Sequence, residues 1–329
     1  MKLHDFDYCL PKELIAQAPV EPRSSSRLMV LNGDKIEHRK FYEFVDYLRD
    51  SDVLVVNDSK VIPARIAGRK KTGGRVEVLL ISKLSETKWN CLVKGKVRSG
   101  SEIFFEDDLQ GMITGAAGGK FEIEFNAGAE EILEKYGEPP TPPYIKQKTE
   151  KERYQTVYAK NPGSIAAPTA GLHFTKELLE EIESRGIKIA SITLHIGLGT
   201  FAPVKVENIA QHKAEVEYFE IDDKNAEIIN EEGEVIAVGT TTLKALESAA
   251  DERGRISATS GRSDLFVFPP YKFKTRTSGL ITNFHLPKST PLMLVCAYAG
   301  RERILKAYEI AIKNSYRFYS FGDAMLIMR

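Results

Sequence analysis

The sequence predicts an α/β fold: a mixed, largely parallel sheet with helices on both faces, plus an inserted small all-β barrel domain. Three observations predict it. Val53-Leu54-Val55-Val56 and Val235-Ile236-Ala237-Val238 are continuously apolar, as strands buried on both faces must be. After residue 151 strand and helix patterns alternate, which implies helices packed on a largely parallel sheet. Between Val61 and about Tyr144 the pattern changes to short alternating segments punctuated by Gly73-Gly74 and Gly118-Gly119, the mark of a small barrel or sandwich. The expected division is a discontinuous main domain, residues 1–60 with 151–329, interrupted by a β domain over residues 61–150.

In order along the chain, Arg27–Leu31 and Lys35–His38 flank Asn32-Gly33-Asp34, a hairpin signal because Gly supplies the positive φ of a tight turn. An amphipathic stretch follows at Phe41–Leu48, then the buried strand at Val53. Within the insert, Arg75–Ile81, Trp89–Val93, Glu102–Phe105, Gln110–Thr114 and Lys120–Phe125 read as strands. Pro139-Pro140-Thr141-Pro142-Pro143-Tyr144 then ends the insert, because it continues neither a helix nor a central strand. Thr175 caps a helix through Ser184, with Glu177 in its first turn and Gly186 past its end. Ile187–Ile196 is a strand running into Gly197-Leu198-Gly199. Val235–Val238 leads through Gly239-Thr240-Thr241-Thr242 into a helix ending near Gly254. Thr290-Pro291 opens a third helix, and Gly300 separates it from a fourth, Glu302–Ser315.

The 329 residues are 42% hydrophobic, with 46 basic and 46 acidic side chains. A neutral chain has no global field for nucleic acid, so any RNA contact must come from a local basic patch. Cys9, Cys91 and Cys296 are scattered, which argues against a disulfide framework or a structural zinc site and fits a reducing cytosol. The start lacks a secretory apolar stretch. The longest greasy run, Pro291–Gly300, is short of the roughly 20 residues that span a bilayer. The expectation is a soluble, cytoplasmic monomer with no membrane partner.

Several segments have the composition of a binding site. Pro162–Thr175, with Thr169, Gly171 and His173, is rich in small residues and feeds a helix N-terminus, where free N–H groups favour an anion; composition alone makes it a tight loop with a structural histidine. Leu194–Phe201, with His195, Gly197 and Gly199, ends a sheet strand, where open α/β sheets place ligands. Its GxG lacks the third glycine and acidic partner of a dinucleotide fingerprint, and His195 is by default a satisfied core residue. Gly239–Thr242, with Thr241, has donors suited to a carboxylate or phosphate, although ordinary threonine N-capping explains it locally. Thr282–Pro287 sets Asn283 and His285 beside a proline turn, and histidine suits proton transfer near neutrality. No HxxxH or HExxH pattern occurs among six histidines, so no metal is expected. As a strand, Tyr271–Arg276 would place Lys272, Lys274 and Arg276 on one face, open to phosphate; lysines guarding a sheet edge explain such runs equally well. Tyr316–Asp323 packs aromatics around one arginine, either to shelter a cationic sulfonium or to fill the core.

Read in order, these segments resemble one family, the S-adenosylmethionine:tRNA ribosyltransferase-isomerases. The match runs from Asp5-Phe6-Asp7-Tyr8 with Leu10-Pro11, through Ser26-Arg27-Leu28 and Val56-Asn57-Asp58, to Ser164–Thr175. It continues at Leu194–Phe201, Val238–Thr242, Ala245-Leu246-Glu247-Ser248, Thr282–Pro287 and Tyr316–Ile327. The resemblance implies that S-adenosylmethionine is a consumed substrate, giving adenine and methionine, with no metal or redox cofactor. It implies an acceptor, 7-aminomethyl-7-deazaguanine at the tRNA wobble position, and epoxyqueuosine as product. Within it, His173, His195 and His285 become candidates for proton transfer. Thr169, Gly171, Gly197 and Gly199 would shape the nucleoside pocket, Thr241 and Asn283 would hydrogen-bond, and Glu247 or Asp323 would accept from an amino group.

The chain departs from the family pattern at Ser24, Ala202, Glu215 and Thr275–Ser278, which leaves the roles of those positions open. Two other functions compete: an S-adenosylmethionine-dependent RNA methyltransferase, and a non-catalytic tRNA-binding protein using the β domain. The first lacks its glycine-rich loop near Val53–Asn57. The second leaves the His, Asn, Thr and Gly loops outside the β domain unused.

Overall fold

The computed structural model describes residues 1–140, 145, 151–197, 199 and 204–329. The proline-rich end of the insert at 141–144, and Leu198, Thr200, Phe201 and Ala202, lie outside the described residues. Nine strands form the main sheet: β1 (Arg27–Asn32), β2 (Lys35–Lys40), β3 (Val53–Asn57), β4 (Lys188–Leu194), β5 (Glu217–Ile221), β6 (Val235–Val238), β7 (Thr259–Ser263), β8 (Thr277–Asn283) and β9 (Ala324–Met328). Their spatial order is β7-β5-β4-β3-β6-β8-β9-β1-β2. Pairing is parallel along β4-β3-β6-β8 and between β9 and β1. It is antiparallel between β8 and β9, β1 and β2, and along β4-β5-β7.

The period-2 alternation of each strand sends neighbouring side chains to opposite cores. Val53 and Val55 pack with Met29, Leu31, Ala237, Leu246 and Leu292 on one face. Leu54 and Val56 pack with Leu28, Val30, Ile236, Val238 and Leu178 on the other. All of β3 is therefore buried, which is why its sequence shows no polar alternation. Emptying one such position, for example Leu54→Ala, costs about 2–5 kcal/mol. Strand β5, next to the edge strand β7, alternates buried and exposed residues, Glu217-Tyr218-Phe219-Glu220-Ile221. With two glutamates it carries little strand propensity, and sequence analysis passed over it, as it did over β7.

Helix Lys176–Ser184 begins as expected, with the Thr175 hydroxyl accepting from the Leu178 N–H at 3.2 Å. Phe41–Tyr47 is a 3-10 helix. Helix Thr240–Ala249 stops earlier than predicted, because Ala250 is already extended and pairs with Ile256. Helix Thr290–Ala299 is capped by Ser289 and holds Pro291 in its first turn. The helix after Gly300 is Arg301–Lys313.

The chain divides into two compact units, Met1–Lys60 with Pro143–Arg329 and, separately, Val61–Pro142. The strands of the latter, Arg65–Lys70, Arg75–Lys83, Lys88–Lys94, Glu102–Phe104, Gln110–Ala117 and Lys120–Phe125, close into a barrel. Neighbouring strands are antiparallel. Val78, Leu80, Cys91, Ile103, Ile113 and Ile123 fill its interior, so the barrel is packed with side chains. The first strand, Arg-Ile-Ala-Gly-Arg-Lys, has too few apolar residues to declare itself in sequence.

Candidate active site

Asn57, at the C-terminal end of β3, ties the central strands to a helix start. Its amide nitrogen donates to the Leu194 carbonyl at 3.0 Å and to the Thr241 hydroxyl at 3.3 Å. Its oxygen accepts from the N–H groups of Leu194 and Ser59. This is the end of a parallel sheet where such folds bind ligands. Two lobes of one cleft meet here, sharing Thr240, Thr241 and Pro291. One, about 560 Å³ including space open to solvent, is walled by Ala166–Ala170, Ile196, Gly239, Asn283, His285 and Tyr319. The other, about 590 Å³ and likewise open to solvent, is walled by Gly199, Glu215, Glu217, Lys244, Phe266 and neighbours. The loops at 164–175, 194–199 and 282–287, distant in sequence, thus converge. The Ser164 hydroxyl and Ile165 backbone bind Ile196, and Asn283 reaches His173.

The start of helix Thr240–Ala249 faces both lobes. Threonine capping, which the local sequence favours, does not occur: the N-cap is Gly239 at φ 96°, with no side-chain cap. The Thr242 hydroxyl donates backwards to the Val238 carbonyl at 2.6 Å. Orphan first-turn N–H groups are left at the cleft, where they favour an anion.

The three candidate histidines have different fates. His285 lines the first lobe, 8% exposed, with Nε2 hydrogen-bonded to the Thr282 hydroxyl at 2.8 Å. Burial pushes it down to about 3, so it is neutral at physiological pH. His173 sits behind the cleft wall, 4% exposed and stacked on Phe41. Burial, and then the charge of Arg317, also hold it down to about 3. The Asn283 amide donates to its Nε2 at 3.2 Å and to the Tyr319 carbonyl at 3.0 Å. The His173 proton must therefore be on Nδ1, facing the Ser26 oxygen at 2.7 Å. His195 lines neither lobe. Its Nδ1 meets the Ser59 hydroxyl at 2.7 Å, its ring stacks on Tyr218, and burial lowers it against the opposing pull of Asp58 and Glu220.

Asn283 is 2% exposed, and its Oδ1 has no hydrogen-bond partner among the described residues. A buried orphan acceptor costs about 1–3 kcal/mol, and this one belongs to a residue that lines the cleft. Thr169 and Thr241 line the same lobe, and Gly199 lines the second. Gly197 and Gly199 donate N–H bonds to Glu217 at 3.1 Å and Glu215 at 2.7 Å. Gly171 is away from both lobes, packed so tightly that a Cβ would lie 2.0 Å from the Tyr158 hydroxyl.

Glu247 and Asp323 direct their oxygens into the protein instead of the cleft. Glu247 accepts from the N–H groups of Lys274 and Thr275 and from the hydroxyls of Thr275 and Tyr271. Asp323 accepts from the N–H groups of Arg27 and Arg317. Glu247 also explains why Tyr271–Arg276 is an irregular extended segment and not a strand. Lys272, Lys274 and Arg276 still share the exposed side. Lys274 pairs with Glu252, and Arg276 donates to the carbonyls of Ile229 and Glu231. Tyr316 and Phe318 are fully buried, so the aromatic run fills the core, with Arg27 stacked 3.7 Å from the Tyr316 ring centre. Sequence reasoning gave no site role to Asn57 and Tyr319, although it quoted their segments, and it missed Glu217 and Lys244. Glu217 and Lys244 are 27 residues apart and carry no local signal. Among the described residues no three His, Cys, Asp or Glu side chains gather as metal ligands.

A ligand cleft at the parallel end of a mixed sheet, in a chain with an inserted barrel, defines an α/β enzyme with a separate β module. The sequence model of one family, described as "Queuosine biosynthesis protein", matches residues 3–327. The chain belongs to that family. A relative from Thermosipho melanesiensis is 52% identical over 99% of this chain and 100% of its own length. Another, from Desulforamulus reducens, is 51% identical over the full length of both. Both are named S-adenosylmethionine:tRNA ribosyltransferase-isomerase. The crystal structure of S-adenosylmethionine tRNA ribosyltransferase from Thermotoga maritima superimposes with a TM-score of 0.58 and 38% identity, covering 98% of this chain and 100% of that one.

Proposed function

We propose that this chain transfers and isomerises the ribosyl group of S-adenosylmethionine onto 7-aminomethyl-7-deazaguanine at the tRNA wobble position. The products are epoxyqueuosine in tRNA, adenine and methionine, and the setting is the cytoplasm. Family membership supports the reaction class. The observation that carries the reading is the convergence of the 164–175, 194–199 and 282–287 loops on one cleft at an uncapped helix start.

The chemistry needs a base for the 5′-carbon proton, made acidic by the adjacent sulfonium. It needs departure of adenine, a free tRNA amine, and exclusion of water. His285 is the candidate histidine on the cleft wall, already in its base form, and is assigned proton transfer. Its low basicity reduces the driving force, so the geometry of the bound substrate must compensate. Asn283 accepts through Oδ1 from a substrate amino group. Thr241 and the neighbouring amides hold the anionic part of the substrate. The exposed row Lys272, Lys274 and Arg276 is assigned to RNA phosphate.

Incubating the protein with S-adenosylmethionine and tRNA bearing the aminomethyl base, followed by chromatography, tests this reading. Adenine and methionine in equal amounts are expected. S-adenosylhomocysteine would instead indicate methyl transfer, and salt-sensitive tRNA binding without turnover would indicate a binding protein.

A further inference from the structure

The second lobe holds a nearly buried ion pair. Glu217 Oε2 and Lys244 Nζ are 3.0 Å apart, with side chains only 8% and 13% exposed. Desolvating two charges offsets most of their attraction, so apolar residues of the same shape would serve the fold as well or better. Both groups line the cleft, with the amides of Thr240 and Thr241 alongside and Leu265, Phe266 and Val267 forming an apolar wall. The lobe therefore offers a carboxylate, an ammonium beside a helix start, and an aromatic surface. Those three features match an α-ammonium, an α-carboxylate and an apolar or sulfonium-bearing side chain. A phosphate matches poorly, because Glu215 and Glu217 both line the same lobe as Lys244.

Resting on the ribosyl-transfer reading above, we infer that this lobe is the subsite for the amino-acid end of S-adenosylmethionine. Glu217 receives the α-ammonium, Lys244 and the start of helix Thr240–Ala249 receive the α-carboxylate, and Phe266 packs against the sulfonium. Substrate opens the ion pair and supplies each charge with a new partner, so neither is left bare in the complex. The Gly197 N–H bond fixes Glu217 from behind. The adenosine part then falls to the adjoining lobe, which contains Asn283.

Equilibrium binding to the full chain tests the assignment, using S-adenosylmethionine and 5′-methylthioadenosine, which keeps the nucleoside and thioether but lacks the amino-acid end. The double variant Glu217→Gln/Lys244→Met is neutral and nearly isosteric, so the fold should survive; a thermal melt verifies this. Its Kd for S-adenosylmethionine should rise on the order of 30-fold, equivalent to about 2 kcal/mol. Its Kd for methylthioadenosine should stay within about twofold of wild type. Lys244→Arg, which conserves the charge, should keep most of the affinity. Equal weakening of both ligands, no change in either, or a raised KM for tRNA alone would overturn the subsite; the last result would give the lobe to the entering base. Wild-type protein that binds S-adenosylmethionine through this pair yet releases S-adenosylhomocysteine would overturn the reaction and leave the subsite standing.

Discussion

Asn283 spends both amide hydrogens on acceptors of the protein, His173 Nε2 at 3.2 Å and the Tyr319 carbonyl at 3.0 Å. That pairing orients the amide and leaves its oxygen without a partner. His173, neutral and buried, thus acts on the Asn283 amide as an acceptor. Asn283→Asp would face two acceptors with a carboxylate that cannot donate. The expected result is a loss of about 2–4 kcal/mol in stability and a fall in kcat/KM on the order of 100-fold, read by thermal melts and steady-state adenine release. A variant that keeps a third of wild-type kcat/KM would contradict this role.

His173 and His285 also set the acid side of the stability profile. Burial holds each down to about 3 in the folded protein, against about 6.5 when exposed. Between those values the unfolded chain binds more protons than the folded one, so stability rises with pH across the window and falls as the solution is acidified. Well inside the window each histidine contributes a slope of about 1.4 kcal/mol per pH unit. Denaturant melts from pH 7 to pH 4 should show this loss. Replacing His285 by Asn should flatten the profile by about one histidine's share, and an unchanged slope would mean that the imidazole is solvated.

Glu247 is expected to matter for stability. Glu247→Ala would strand the partly buried N–H groups of Lys274 and Thr275 and should cost about 1–3 kcal/mol. Activity per folded molecule should remain within about threefold of wild type, a factor worth less than 1 kcal/mol. A selective loss of kcat without loss of melting temperature would return Glu247 to the substrate.

Gly171 tests packing against ligand approach. A methyl group there has no room beside Tyr158 and Thr156, so Gly171→Ala should destabilise by about 1–3 kcal/mol. The double variant Gly171→Ala/Tyr158→Phe should recover part of that loss, because it removes the hydroxyl that the methyl meets. Recovery of nothing would mean that the backbone shifts elsewhere.

Lys272 is exposed on the segment that Glu247 fixes. Lys272→Glu should raise KM for tRNA several-fold, lower the salt dependence of binding by roughly one phosphate contact, and leave S-adenosylmethionine binding unchanged. An unaltered salt slope would place the RNA elsewhere.

Much of the architecture was written locally. The apolar runs at Val53 and Val235 could only be strands covered on both sides. The Thr175 cap, the Gly33 turn and the short alternating segments of the barrel all became what their spacing demanded. The strands β5 and β7, at one end of the sheet, were illegible because a half-exposed strand carries glutamate, arginine and glycine as readily as a loop does. The loops of the candidate site were visible as unusual composition. The division of labour among His173, His195 and His285 was not, since each is a histidine in a small-residue context and differs only in what surrounds it.

The sequence by itself determined the fold class, the inserted β module and the segments that build the cleft, because periodicity and turn chemistry are properties of neighbouring residues. Tertiary structure alone decided that Asn283 lines the cleft with a buried Oδ1 that has no partner among the described residues, that Glu247 and Asp323 turn inward, and that Glu217 meets Lys244. Those outcomes depend on contacts between residues 6 to 296 positions apart, and a hydrogen bond or a desolvated charge is set by position in space, to which sequence separation gives no guide.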